Sequence, residues 1–411
     1  MKKSLLKFLP FAAAVLLATS CSKDENNDEK NIENQPKVEK VVIPFSVKVN
    51  TGNSISKIAY TQSGDNVSQF NVNFEDDDVK EGSAIAMNIT GEGIEDGTLT
   101  LTKVGGDFKF QGDITLAEGK TEEDFTNGNI SISGSFGEAG TTTVTSTTSL
   151  ADVMSNCSHQ YTTTFKSNAT TIELNDNYAY LEVSCATEQT KFQLTIGDAA
   201  QDYTPSTTNH KIWIAVPNGT SVTGNMIKSM TVQGGKVYRA DRTNVVDLGP
   251  TFSVLWTLKN LGANSSTDYG NYYAYGETTG YAWGSGHDFS SVSYTGTENS
   301  LSAEHDAATA ALGEGYRMPT SAELKELAKY KKTFSSGYTF SNDYGSVFLP
   351  AAGFCFGTSR RYYDGSDGVY WSSSPYGESD AYYLTFGSGY ASVYNGNRNY
   401  GQSVRAVRCM N

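Results

Sequence analysis

From Val246 to Arg408 the chain is a string of short segments punctuated by aromatic residues and glycine: Val246-Asp247-Leu248-Gly249, Leu255-Trp256, Asp268-Tyr269-Gly270, Gly276-Glu277-Thr278, Asp306-Ala307-Ala308-Thr309, Arg317-Met318-Pro319-Thr320, Phe348-Leu349-Pro350-Ala351-Ala352-Gly353, Tyr370-Trp371-Ser372-Ser373-Ser374 and Ser403-Val404-Arg405-Ala406-Val407-Arg408. Thr320-Ser321-Ala322-Glu323 has the form of a capping box, in which the Thr320 oxygen satisfies an early helical N–H and Glu323 reaches back to the cap. Leu324, Leu327 and Ala328 then fall on one face, so a helix starts there, with Pro319 just ahead of the cap. The alanine-rich run from Asp306 to Leu312 predicts a shorter helix. Farther on, Tyr382, Leu384 and Phe386 alternate as the inward face of a strand, and Trp256, Trp283 and Trp371 read as core. This end of the chain is α+β.

The order and spacing of these segments resemble the Fibrobacter-type major paralogous domain, a family whose members look like relatives of the C-type lectin fold. The resemblance covers 246–411, about the last two fifths of the chain, and implies a display scaffold for binding. The Arg317–Thr320 corner is also similar to that of formylglycine-generating enzymes, which share a lectin-like core. That family holds copper on paired cysteines near its carboxyl end, whereas Cys409 has only the sequence-distant Cys355. Sugar-binding C-type lectins hold calcium through Glu-Pro-Asn or Gln-Pro-Asp followed by Trp-Asn-Asp. Neither triplet occurs, and Trp371 is followed by Ser372-Ser373, which removes the carboxylates that calcium needs. His159, His210, His287 and His305 are scattered, with no His-Glu-x-x-His run and no Gly-x-Ser-x-Gly elbow. Glu75-Asp76-Asp77-Asp78 reads as a solvated loop. No enzyme, cofactor or metal is expected.

Upstream, short alternating runs separated by Gly, Asn and Asp predict strands at Pro44–Val49, Val72–Phe74, Ala84–Ile89, Leu99–Leu101 and Phe108–Phe110, a first β-sandwich over 40–145. A second sandwich over 146–245 has strand-like segments Tyr178–Val183, Lys191–Ile196, Lys211–Pro217 and Gly235–Tyr238. The Ala-Tyr-Leu, Trp-Ile-Ala-Val-Pro and Gly-Lys-Val-Tyr strands of this part resemble fimbrillin, a family of anaerobe pilus subunits. Shaft subunits of that kind resemble precursors trimmed after an early Arg or Lys. Here the first arginine is Arg239, so trimming would fall to Lys37, Lys40 or Lys48, which favours a terminal or stand-alone role. The fold expected is mainly β: two fimbrillin-like β-sandwiches followed by the α+β lectin-like domain.

Met1-Lys2-Lys3, the apolar Leu5–Leu17 and the small Ala18-Thr19-Ser20 before Cys21 read as a secretory signal over 1–20. The triplet and cysteine resemble a lipobox, which implies cleavage after Ser20 and lipid on Cys21, and hence an outer membrane attachment. Ser22-Lys23-Asp24-Glu25 resembles the export tag of surface lipoproteins in Bacteroides-type Gram-negative bacteria, and 21–39 is a polar acidic tether without core residues. The net charge of −14, with no Lys/Arg cluster after the signal, argues against nucleic acid and against an electrostatic hold on anionic lipid. In an oxidising compartment Cys157 with Cys185, and Cys355 with Cys409, form disulfides, or each serves as a small buried hydrophobe.

Nineteen of the 25 tyrosines lie after Val246, among Asn, Ser, Gly and Asp, the palette of recognition surfaces. The outward candidates stand in turn-like stretches: Arg360, Arg361, Tyr362, Tyr363, Tyr376, Tyr390, Tyr394, Asn395, Asn397, Arg398, Asn399 and Tyr400. The reading is a lipid-anchored cell-surface binding or adhesion protein with an unidentified protein or glycan ligand. A pilus tip or anchor subunit, contacting other pilus subunits, is the alternative, and a surface glycan-active enzyme is the competing class. Changing Cys21 to Ala should abolish incorporation of labelled palmitate and release the protein from the membrane fraction; equal labelling of variant and parent would remove the lipid anchor.

Overall fold

The computed structural model describes residues 40–49, 57–58, 65–69, 85–104, 107–137, 144–149, 152–153, 156–292, 294–358 and 360–409. Cys21, the signal and tether, the expected strand Val72–Phe74 and the acidic run Glu75–Asp78 lie outside them. The protein is mainly β, in several sheets. Its chain divides into two compact units, one of Met1–Thr51, Phe74–Phe136 and Thr162–Glu173, the other of Gly52–Asn73, Gly137–Tyr161 and Leu174–Asn411.

In the first unit Val42–Val49 pairs antiparallel with Asp107–Thr115, and Gly97–Val104, Ile85–Thr90, Ser131–Gly137 and Gln160–Lys166 follow in pairing order. The strands bury alternate residues, Phe45, Val47 and Val49 in the first of them, as one-sided amphipathic strands must. The sheet curls over this face. Phe45 stacks on Phe165 with ring centroids 5.8 Å apart although four strands separate them in the pairing order. Thr171–Ile172 then adds in parallel beside Val42–Val49, so the curled sheet nearly closes. A short helix, Glu122–Thr126, plugs one end with Phe125; its Thr121/Asp124 capping box is a local start signal that the strand-dominated sequence reading passed over.

In the second unit Tyr178–Cys185 is the central strand, antiparallel to Lys211–Pro217 and parallel to Lys236–Arg242. It is buried on both faces, which is why its sequence is nearly continuously apolar. Ala179, Leu181, Val183 and Cys185 meet Phe192, Leu194 and Ile196 of a four-stranded sheet, while Tyr178 and Tyr180 face the other way with Trp213 and Val237.

Beyond it, Val245–Asp247 pairs with Val254–Asn260, which pairs in turn with Arg405–Cys409, the last described strand. A three-stranded sheet (Lys331–Phe334, Gly337–Ser341, Ser346–Pro350) and a larger sheet ordered Arg360–Tyr362, Phe354–Phe356, Gly401–Ser403, Gly368–Tyr376, Asp380–Gly387, Tyr390–Asn397 complete this part, with Tyr272–Tyr273 also paired to Gly401–Ser403. Both expected helices form. Ala307–Leu312 starts at Asp306, and Ser321–Leu327 starts at the Thr320/Glu323 capping box and buries Leu324 and Leu327 against Trp256, Phe340 and Leu349.

Of the two alternatives for the cysteines, the disulfides do not form: neither Cys157 with Cys185 nor Cys355 with Cys409 is bridged. Each pair is divided between separate cores. Cys185 packs on the inner face of Tyr178–Cys185 and Cys157 against the Tyr178/Tyr180 cluster on its reverse face, while Cys355 and Cys409 join two further clusters. They behave as small apolar side chains, and burial raises the Cys185 thiol to about 12.

Nor does the chain change bodies at Val246. Gln189 spans the junction: its Nε2 donates to Asp247 O (2.8 Å), its Oε1 accepts from Asp247 N (2.8 Å), and Thr190 N donates to Tyr344 O (2.8 Å). Val245 and Leu255 belong to the core of the preceding sandwich. Starting a fragment at Val246 splits a paired strand and uncovers Leu255, so 246–411 should be less soluble and melt earlier than 174–411. Gln189→Ala in the full chain should cost about 2 kcal/mol by urea unfolding, because both backbone groups of Asp247 lose their partner.

Candidate functional site, an aromatic face on the carboxy-terminal sheet

The punctuating motifs turn out to be internal fastenings. Asp306 accepts from Ala308, Thr309 and Met318 N–H groups and so joins its own helix to the Arg317–Thr320 corner; burial holds its carboxyl above the ordinary range in spite of these bonds. Arg317 grips Glu323 through two nitrogens at 2.8 and 2.6 Å. Burial would raise the Glu323 carboxyl, but the Arg317 bonds and the Thr320 N–H hold it low. Tyr370 OH donates to Pro350 O, Tyr272 OH to Ala352 O and Tyr275 OH to Ser373 O, while Trp371 Nε1 donates to Tyr273 O. Gly353, at φ 59, lies where a Cβ would sit 2.0 Å from Tyr362 O. None of these groups is offered to a ligand.

Arg398, expected to face outward, belongs with them. It is 3% exposed, and its guanidinium donates to the carbonyls of Asp380 (3.0 Å), Tyr294 (2.9 Å) and Gly377 (2.6 Å) over the rings of Tyr275 and Tyr294. Planar and always charged, an arginine satisfies three carbonyls at once. Trp283 errs in the other direction: taken for core, it is 54% exposed.

The remaining candidates stand mostly on strands instead of turns. Tyr362 ends Arg360–Tyr362, where Arg360 and Arg361 pair in register with Phe356 and Cys355. Tyr376 ends Gly368–Tyr376 and meets Tyr382, whose ring also carries the Lys325 ammonium. Tyr390, Tyr394, Asn395 and Asn397 lie on Tyr390–Asn397. Alternation along that strand puts Tyr390 and Tyr394 on one face and Asn395 and Asn397 on the other. Asn399 bonds Ser290 O at 3.4 Å.

One face of the large sheet gathers most of them. Tyr394 is the cross-strand partner of Tyr383, for which Gly396 leaves room. The Tyr383 phenol is raised first by burial and then by the neighbouring phenols of Tyr400 and Tyr394. Tyr400 meets Phe354 (5.1 Å) and Phe356 (5.5 Å), and Phe354 stacks on Tyr362 (5.1 Å) and touches Tyr363 (6.1 Å). A row of rings therefore crosses the sheet from Tyr390 and Tyr394 to Tyr363. Its members open to solvent are Tyr363 (61%), Tyr394 (54%), Phe356 (45%) and Tyr390 (43%). Phe354, Phe356 and Tyr383 escaped the sequence reading; the two-residue spacing of Phe354 and Phe356 was their signal. Tyr363 also has φ 59, a left-handed conformation that costs a bulky residue roughly 1–2 kcal/mol and is held here by Ser366 and Asp367 N–H bonds to its carbonyl.

Next to the row lies a pocket lined in part by Trp283, His287, Phe289, Gly357 and Thr358. His287 stacks flat on Tyr281 (3.6 Å) with Phe289 edge-on (4.8 Å), and its Nε2 is 2.9 Å from Glu277 Oε1 but out of line for a hydrogen bond.

A family model described as "Domain of unknown function (DUF8237)" matches residues 331–407, the stretch that supplies the row. No curated protein matches. Among solved structures, a fimbrial protein from Bacteroides ovatus is similar at 9% identity over 80% of this chain and 95% of its own, with a TM-score of 0.21.

Arg398→Ala should destabilise the chain by about 3 kcal/mol in urea titrations, since three buried carbonyls lose their donor. Tyr363→Gly should leave stability unchanged or raise it by up to about 1 kcal/mol, because relief of the left-handed strain offsets the entropy of glycine.

Proposed function

We propose that the chain is a lipid-anchored surface binding protein that presents the aromatic row of its carboxy-terminal domain to a protein or glycan. One observation carries this reading: ring after ring from five different strands and loops lies on one face, with four of them largely open to water. Exposed aromatic rings on a rigid sheet give large contact area at small entropic cost, which is what a recognition surface requires. The motifs that resemble the major paralogous domain act as the frame beneath this face, in keeping with a lectin-like display scaffold. The signal, the lipobox-like triplet and the tag-like Lys23-Asp24-Glu25 supply the route to the outer membrane and the cell surface.

The test is a combined Phe356→Ala, Tyr363→Ala, Tyr394→Ala variant. Its melting temperature should stay within a few degrees of the parent, because the three rings are exposed. Binding of the labelled protein to printed glycans and intact cells should fall by about thirtyfold or more, the equivalent of one anchor residue lost. Retention of parental binding by this variant would show the row to be idle surface.

A further inference from the structure

The sheet that carries the aromatic row ends in an open edge, and that edge narrows the class of partner, a step that rests on the recognition reading above. Tyr390–Asn397 is the outermost strand on its side, paired with Asp380–Gly387 through eight residues without a register shift, and no described strand pairs with its other edge. It is eight residues long, whereas every other outermost strand among the described residues has two to five. An edge strand offers a row of unpaired N–H and C=O groups, which proteins ordinarily blunt by shortness, charge, proline or a bulge. The opposite edge of the same sheet, Arg360–Tyr362, is blunted: it has three residues, two of them arginines. Tyr390–Asn397 has neither a charge nor a proline. The two-residue turn Ser388-Gly389 makes Gly387 and Tyr390 the closing hydrogen-bonded pair, so by alternation Ala391, Val393 and Asn395 turn their backbone groups to the open side.

We propose that this edge takes an extended, basic segment of a partner polypeptide as the next strand of the sheet, with alternate side chains of that segment continuing the aromatic row. Peptide groups at strand spacing meet the open N–H and C=O groups one for one, which a sugar ring does not. Charge sets the sign of the partner. Asp367 accepts from Tyr390 OH at one end of the strand (3.1 Å), and Asp380 and the exposed Glu378 stand at the other, while the neighbouring Arg398 is buried. A second copy paired by two-fold symmetry would set Asp367 of one chain toward Asp380 and Glu378 of the other, acid against acid, on bodies of net charge −14. A segment with lysine or arginine at its ends meets attraction instead.

The experiment titrates the full chain with the capped peptide Lys-Thr-Val-Thr-Tyr-Thr-Val-Lys, with the same peptide N-methylated at every residue, with a version ending in glutamates, and with maltohexaose. Hydrogen-exchange mass spectrometry over 390–397 reports strand addition. The lysine-ended peptide should bind and slow exchange there, the glutamate-ended one should bind at least about threefold more weakly, and the N-methylated one should not bind. Asn395→Pro removes an outward donor while its side chain lies on the face opposite the row, and should weaken the peptide at least about tenfold; Asn395→Lys should weaken it about threefold, both without a change in melting temperature. Four results overturn the proposal: no binding of the lysine-ended peptide at roughly 5 mM, equal binding of the N-methylated peptide, undiminished binding by the folded Asn395→Pro and Asn395→Lys variants, or protection of 390–397 by maltohexaose or by self-association in place of the peptide. If the peptide fails while the Phe356, Tyr363, Tyr394 variant loses cell binding, the recognition face stands and the edge assignment falls. If that triple variant keeps its cell binding while the peptide binds the parent and not Asn395→Pro, the row reading falls and the edge stands.

Discussion

Arg405 is a fully buried cation held by neutral acceptors, and the carboxy-terminal part of the chain is arranged around it. Its Nε and one terminal nitrogen reach Asn260 Oδ1 at 3.0 and 2.8 Å, and the other reaches Thr257 O at 2.9 Å. Burial depresses its pKa to about 10, which leaves it charged at neutral pH, so each of those bonds is needed. They are available because the pairing of Val254–Asn260 with Arg405–Cys409 shifts register between Trp256 and Asn260, which brings the Thr257 carbonyl and the Asn260 side chain to the same guanidinium. Asn260 Nδ2 in turn donates to Tyr370 OH, which donates to Pro350 O. One charge thus ties the first strand to the last, the last to the large sheet, and the large sheet to the three-stranded one.

With the frame fastened from inside, the sheet surface is free of structural duty. The buried aromatic residues Tyr272, Tyr275, Tyr370 and Trp371 each spend their polar atom on a backbone carbonyl, whereas Tyr363 and Tyr394 expose theirs. The same residue type serves as cross-link below and as contact area above, and burial alone separates the two uses.

Local features were legible in the sequence. The Thr320/Glu323 capping box, the Asp306 helix start and the Lys211–Pro217 strand depend on residues a few positions apart, and all formed as read. What the sequence hid was long-range. Arg398 looked like a surface arginine because its acceptors at Tyr294, Gly377 and Asp380 come together only in the fold. The cysteines could be read as pairs or as small buried hydrophobes, because sequence does not show that a strand separates the cores of Cys157 and Cys185. Trp283 has the composition of a core residue, and only the short glycine-flanked loop around it leaves it at the surface. Within the candidate site the tyrosines were found, whereas the alternation that selects among them, and that admits Phe354 and Phe356, needed the strand register.

Strand alternation in Tyr390–Asn397 has a consequence for how such a protein changes over generations. Ala391 and Val393 pack against the core, while Tyr390, Ser392 and Tyr394 point to the opposite side. Over 390–394 the inward codons are therefore tied to folding and the outward ones are released from it. A lineage under pressure to grip a different surface can rewrite the outward set one position at a time, with each intermediate still folded, and the frame needs no compensating change.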